Sequence, residues 1–285
     1  AQPDIVPHLL IVWGFLISTP PESTNTDPTV DFKAFMDLQF NILVNDPTFF
    51  GLYGVTSYLS GYSEEEIGRV PEGADMGLGC GNPSAIAAIQ AGETVLDLGS
   101  GGGFDCFLAA AQTGDSGHVI GVDMTPAMIS KARENAAKGR YAQVEFRLGE
   151  IENLPVANDA VDVIISNCVI NLSPDKAQVF REAFRVLKVA GRLAISDIVA
   201  TAELPDEIRN SPELVAGCMG NAALIGELET MLAEAGFEQI RIEPKDESKA
   251  FISEWAPGNN VTDYLVSASI TAVKPSVENS APGCC

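Results

Sequence analysis

With 285 residues and 46% hydrophobic content, the chain holds one large domain with appendages or two modest domains, and neither disorder nor a disulfide scaffold is needed to explain it. Seventeen basic residues against 39 acidic ones leave a formal net charge of −22, which repels phosphate backbones and anionic bilayers and argues against nucleic acid or membrane as a partner. Six cysteines are too sparse for a disulfide framework and fit a reducing, cytoplasmic setting.

Residues 1–60 are poorly patterned and are read as an N-terminal segment, a helical cap. Within it, Leu9 to Ile17 is apolar but too short to span a bilayer. It also lacks a basic n-region, since Asp4 precedes it and Lys33 is the first Lys or Arg, so a buried core segment is expected rather than a targeting signal. Pro20 to Pro28 reads as a linker. Ser63-Glu64-Glu65-Glu66 matches a capping box that opens a short helix.

Strands and helices then alternate. Strands are expected at Thr94–Leu98, His118–Asp123, Val144–Leu148, Val161–Ser166, Arg192–Ile198, Phe237–Ile242 and Tyr264–Val273, the last closing the sheet. Helices are expected over Gly103–Gln112, Pro126–Lys138, Asp175–Leu187 and Leu224–Ala235, the last stopped by Gly236. The order predicts an α/β fold: a doubly wound, mostly parallel, seven-stranded sheet covered on both faces, with an insertion at residues 201–223 after strand five. Residues 61–275 form this domain, and residues 276–285 a flexible tail ending in Cys284-Cys285, a carrier of thiophilic ions or simply solvated chain.

Val95-Leu96-Asp97-Leu98-Gly99-Ser100-Gly101-Gly102-Gly103 runs from a strand into a glycine turn at a helix start, where the backbone approaches a ligand closely. A dinucleotide fingerprint wants a third glycine where Phe104 stands. Asp97 ahead of the glycines matches instead the acidic-x-Gly-x-Gly-x-Gly pattern of class I S-adenosylmethionine (SAM) methyltransferases. Asp123 ends the second strand, where a carboxylate accepts both ribose hydroxyls, a placement that NAD proteins share. The loop after the third strand, with Glu150 and Ile151, borders the adenine in such a fold.

Cys80, Cys168 and Cys218 reach the carboxyl edge of the sheet from three separate segments. Singly, each reads as a small core hydrophobe. Together, with no histidine or evident fourth ligand beside them, they suit a soft, three-coordinate substrate such as trivalent arsenic. Structural zinc, which takes four ligands and favours CxxC pairs, is set aside. A free thiol ionises near ~8.5 and a bound soft ion displaces its proton, so binding is expected to release protons and weaken in acid. Cys80, between glycines and outside the core, is expected to be the most displaceable ligand. Cys106 reads as core, and His8 and His118 carry no evident chemistry.

From Tyr62 to Lys274 the chain resembles arsenite SAM methyltransferases of bacterial and archaeal type. The markers are Gly79-Cys80-Gly81, Val95-Leu96-Asp97-Leu98-Gly99-Ser100-Gly101, Ser166-Asn167-Cys168-Val169-Ile170-Asn171-Leu172 and Gly217-Cys218. The resemblance maps the family's arsenic-binding cysteines onto Cys80, Cys168 and Cys218. It implies cofactor contacts from Asp97, Gly99, Ser100, Gly101, Asp123, Met124, Glu150, Ile151 and Asn167. It further implies SAM as cosubstrate, arsenite or methylarsenite as substrate, a thiol reductant such as glutathione or thioredoxin, and a monomeric enzyme. Two departures are evident: residues 1–79 hold no cysteine, and residues 1–50 lack the family's amphipathic start. Two other readings compete. A SAM enzyme acting on a small organic acceptor leaves the cysteines unexplained, and a non-catalytic arsenic binder leaves the glycine loop unexplained.

Overall fold

The computed structural model describes residues 61–211, 214, 215, 217–256 and 260–276. The expectations for residues 1–60 and for Cys284-Cys285 lie outside the described residues. The strands are β1 (Thr94–Leu98), β2 (His118–Asp123), β3 (Val144–Leu148), β4 (Val161–Asn167), β5 (Leu187–Ala200), β6 (Glu238–Lys245) and β7 (Leu265–Val273). They form one sheet in the order β3-β2-β1-β4-β5-β7-β6. β1 to β5 run parallel, and β7 runs antiparallel to both β5 and β6.

The longer helices are α3 (Phe104–Thr113), α4 (Pro126–Gly139), α5 (Lys176–Val186) and α7 (Ile225–Ala235). Short ones are α1 (Glu64–Arg69), α2 (Pro83–Ile86), α6 (Asp206–Arg209) and α8 (Lys249–Trp255). Period-two alternation explains why both faces are covered. Leu96, Leu98, Ile120, Val122 and Ile164 face Val179, Phe180 and Ala183 of α5 and Leu228 and Leu232 of α7. Val95, Val119, Val163 and Ile165 point the other way, onto Phe107 and Ala110 of α3 and Ile129 and Ala132 of α4.

Local chemistry sets the helix ends. Ser63 and Glu66 form the expected capping box at α1, with reciprocal bonds of 2.8 and 3.2 Å. Asp175, expected inside a helix, instead caps α5 by accepting from the Gln178 amide at 2.9 Å. Gly236 ends α7 in the left-handed region, at φ +105°.

One expectation is overturned. The Tyr264–Val273 strand does not close the sheet; β7 lies inside it and β6 takes the edge. Leu265, Val266, Ala268, Ile270 and Ala272 are all buried and require neighbours, whereas β6 is half-buried or exposed along its length and tolerates one free side. β5 also outruns its expected Arg192–Ile198 span, because β7 pairs with it as far as Ala200. The insertion after β5 folds back over the carboxyl edge, where Leu204, Ile208, Leu214 and Met219 join Cys80, Cys168 and Cys218 in a third apolar cluster.

Candidate active site

At the carboxyl end of β1, Gly99, Gly101 and Gly103 adopt φ of +73°, +49° and +94°, conformations that cost a side-chain-bearing residue about 1–2 kcal/mol. The turn is held by the Val122 carbonyl, which accepts from the Gly99 and Ser100 amides at 2.8 and 3.0 Å. Asp123 braces it from β2: its carboxylate accepts from the Gly101 amide at 2.9 Å and the Thr125 amide at 2.8 Å. Asp123 and Met124 remain half-buried and Glu150 exposed. Ile151, expected against the adenine ring, is only 8% exposed and packs into the core with Leu154 and Val156. The apolar side chain that stands open beside Asp123 is Leu148, its partner in the β2–β3 register, 53% exposed.

Beneath this turn lies a buried acidic group in which Asp97, noted in the sequence, is joined by Asp105, which sequence reading missed. Asp97 accepts from the Cys106 thiol at 3.2 Å, and Asp105 from the Tyr62 hydroxyl at 2.7 Å. Burial, reinforced by the charge of Asp105, pushes the Asp97 carboxyl well above the usual range; burial likewise raises Asp105 and Tyr62. The hydrogen-bond partners of both carboxylates are neutral. No signal in the sequence joins Tyr62 to Asp105, 43 residues apart, and Cys106 reads as filler until its thiol is seen on Asp97.

Asn167 links this group to Cys80. Its Oδ1 accepts from the Cys80 amide at 3.0 Å, and its Nδ2 donates to the Gly81 carbonyl at 2.8 Å, the Tyr62 hydroxyl at 2.7 Å and Asp105 at 3.2 Å. The residue assigned to the cofactor by resemblance therefore clamps the Cys80 segment. Ser267 of β7 completes the clamp by donating to the Cys80 carbonyl at 2.7 Å. The glycines beside Cys80 are required by close approach: a Cβ on Gly81 would lie 2.7 Å from Ser196 Cβ and Oγ, and one on Gly79 2.6 Å from Asn167 Nδ2. Cys80, expected outside the core, is instead in a segment wedged against β4, β5 and β7. Gly81→Ala is expected to destabilise the fold by about 1–3 kcal/mol through overpacking. A melting temperature equal to the parent's would show that the wedge is not tight.

The three cysteines meet at the carboxyl ends of β4 and β5. All are buried: Cys80 is 1%, Cys168 8% and Cys218 7% exposed. The Cys218 thiol donates to the Cys168 carbonyl at 2.8 Å, the Cys80 thiol to the Ser196 carbonyl at 3.5 Å, and the Cys80 and Cys168 sulfurs lie within 4.8 Å of each other. Cys168 and Cys218 both hold left-handed backbone, at φ +58° and +63°, a strained conformation for a residue with a Cβ. The glycine turn lies beside them; a Cβ on Gly99 would come 2.5 Å from Val169.

Burial pushes the Cys80 thiol up to about 11. For Cys168, the bond with Cys218 acts downward, but the Cys80 thiol and burial outweigh it and carry the group well above the usual thiol range. Cys218 is raised by its bond with Cys168 and by burial, with the Lys176 ammonium opposing. Lys176, itself 9% exposed, caps no acid directly; its nitrogen reaches the Ser173 carbonyl at 3.4 Å.

The site also contains a fourth donor, contrary to the sequence expectation. Asp197 of β5 is buried, and donor atoms of Cys80, Cys168 and Asp197 all lie within 4.8 Å of one another. Its Oδ1 accepts from the Ile198 amide at 2.8 Å and Asn171 at 3.1 Å, and its Oδ2 from the Ile170 amide at 2.9 Å. Burial raises this carboxyl to about 7 against those donors and the Lys176 charge. An aspartate inside the apolar run Ala194-Ile195-Ser196-Asp197-Ile198-Val199-Ala200 was the signal available in the sequence.

Residues 89–236 match the family model described as a methyltransferase domain. The arsenite methyltransferase of Halobacterium salinarum is 58% identical over 215 residues, covering 75% of this chain and 55% of that protein. The human arsenite methyltransferase is 42% identical over 50% of this chain and 40% of its own length. Among solved structures, an arsenic(III) SAM methyltransferase from Chlamydomonas reinhardtii superposes with a TM-score of 0.57 at 33% identity, covering 80% of this chain and 74% of that one. The chain belongs to the arsenite methyltransferase family. Its seven-stranded, mostly parallel sheet with the antiparallel β5-β7-β6 edge is that of a class I SAM methyltransferase fold. This family member spans about half the length of the curated arsenite methyltransferases it matches. Among the described residues, no helix is long and apolar enough to cross a membrane.

Proposed function

We propose that this chain transfers methyl groups from SAM to trivalent arsenic bound by Cys80, Cys168 and Cys218. The observation that carries the reading is the meeting of those three thiols in one buried apolar cluster beside the glycine turn. Asp123 would accept the ribose hydroxyls, and the buried Asp97 and Asp105, whose present partners are neutral, suit the cationic methionine end of the cofactor.

The chemistry needs little proton transfer at the transferring step. Three-coordinate arsenic keeps a lone pair, which attacks the sulfonium methyl as the carbon–sulfur bond breaks and the thioether leaves neutral. The protein's part is proximity and alignment. Transfer leaves arsenic formally pentavalent, and two electrons return it to the trivalent state. A thiol reductant such as glutathione or thioredoxin supplies them. Product analysis with arsenite, SAM and a thiol tests the reading; the absence of methylated arsenic, with SAM bound, would return the small-organic-acceptor alternative.

For the proton release expected on arsenite binding, the thiol environment supports a different reading. Groups held well above the usual thiol range, Cys80 at about 11, are protonated throughout pH 6–8. Undissociated arsenous acid brings its own hydroxides, so each S–As bond expels water made from that hydroxide and the thiol's proton. Acid therefore does not weaken binding. Arsenite affinity is expected to vary by less than about threefold between pH 6 and 8, with equal calorimetric heats in buffers of different protonation enthalpy. A steep fall in acid would mean that the thiols bind as preformed thiolates.

After one methylation, only two valences remain for thiolates, so one cysteine must leave. The clamped Cys80 segment cannot lift away, but the Cys80 side chain can rotate towards the Ser196 carbonyl, already 3.5 Å from its sulfur. Charge favours the same choice: the Lys176 ammonium supports Cys218, whereas Cys80 has no such cation and faces Asp197. Cys80→Ser is expected to impair methylation of arsenite roughly tenfold or more while largely sparing a monomethylated trivalent substrate. Equal losses on both substrates would remove this asymmetry.

A further inference from the structure

Trivalent arsenic bound by three thiolates is charge-balanced and reserves its fourth direction for a lone pair. Asp197 is then superfluous as a ligand, yet its carboxylate stands among the donors. A divalent ion differs on both counts: it takes four ligands in tetrahedral array and gains from a fourth negative donor. We propose that Cys80, Cys168, Cys218 and Asp197 together form a three-sulfur, one-oxygen site for a divalent thiophilic cation of the zinc group, which competes with arsenic for the same thiols.

The geometry is near what such an ion requires. Metal–sulfur bonds of about 2.3 Å and metal–oxygen bonds of about 2.0–2.2 Å set donors roughly 3.5–3.8 Å apart. The donors of Cys80, Cys168 and Asp197 lie within 4.8 Å of one another, so closing the site takes movements on the order of 1 Å. Cys218 stands outside that trio, its thiol donating to the Cys168 carbonyl at 2.8 Å, and completes the set by turning from that carbonyl to the ion. Asp197 is oriented as metal-binding carboxylates are, by an outer set of donors: Ile170, Asn171 and Ile198. Oδ2 accepts only from Ile170 among these, which leaves it a lone pair for an ion.

Charge separates the two occupants. Three thiolates and a carboxylate carry four negative charges, which a divalent ion reduces to two, and the nearby Lys176 ammonium offsets one more. The apolar walls of Leu204, Ile208, Leu214 and Met219 keep water from competing for the ion. The inference stands on the four donors and does not require that arsenic be methylated.

The test uses the full chain carrying Cys284→Ser and Cys285→Ser, which removes the tail thiols, reduced with a phosphine and loaded with cadmium chloride. One cadmium per chain is expected, with X-ray absorption recording three sulfur neighbours and a light-atom neighbour, and arsenite displacing the ion. An infrared carboxylate band that shifts on loading identifies that light atom in the parent. Asp197→Asn, its fold checked by circular dichroism, is expected to weaken cadmium about 10- to 100-fold and arsenite by less than threefold. A sulfur-only shell, an unmoved carboxylate band, cadmium that arsenite fails to displace, or a folded Asp197→Asn protein that binds cadmium as the parent does would each overturn the proposal. Cadmium bound as expected in a protein that forms no methylated arsenic would leave this site standing and remove the functional reading alone.

Discussion

Cys168→Ser is expected to lower arsenite-dependent methyl transfer by about 100-fold or more while leaving SAM binding intact. Cys168 is the middle member of the group: its sulfur lies within 4.8 Å of that of Cys80, and its carbonyl accepts from the Cys218 thiol at 2.8 Å. A serine hydroxyl is a hard donor with little affinity for arsenic. Serine replaces the sulfur with a smaller oxygen on the same Cβ and meets the same left-handed backbone, φ +58°, so it is accommodated without added bulk at this buried position. Transfer of labelled methyl from SAM, with the melting curve as control, reads the effect directly. A serine variant that turns over near the parent rate would exclude Cys168 from the acceptor site.

Asp123→Ala is expected to weaken SAM binding by roughly 2–5 kcal/mol, the loss of two hydrogen bonds to a charged acceptor. The structure adds a second cause. The same carboxylate holds the Gly101 and Thr125 amides, so the variant also loosens the turn that receives the cofactor. Arsenite affinity should survive, since the cysteine cluster is built from other segments. Calorimetry that finds SAM affinity unchanged would sink the assignment of Asp123.

What the sequence made legible was local. The spans of β1, β2 and β3 are those expected from β-branched runs, and the capping box and Gly236 stop are backbone chemistry of adjacent residues. That the three cysteines gather at one sheet edge was legible because each follows a strand or glycine motif whose place in an α/β sheet is fixed by chain order. What remained hidden depends on distant segments. Nothing near Tyr264 tells whether its strand lies inside the sheet or at its edge; that is decided by the exposed character of β6. Asn167 was named by resemblance alone, and the partners its amide finds, the Cys80 segment, Tyr62 and Asp105, all lie far from it in sequence. Asp197 was passed over because an apolar strand dominates its neighbourhood.

The interior place of β7 also bears on the order in which a nascent chain is assembled. Translation delivers the cofactor turn and the first five strands well before residues 265–273 appear. Until then the β5 edge from Arg192 to Ala200 has no antiparallel partner, and Cys80 lacks the Ser267 hydroxyl that pins its carbonyl. Domains generally consolidate from the N-terminal side during synthesis. The glycine-turn half of the sheet is thus translated while the β5 side of the cysteine cluster still lacks β7, which slots between β5 and β6 afterwards.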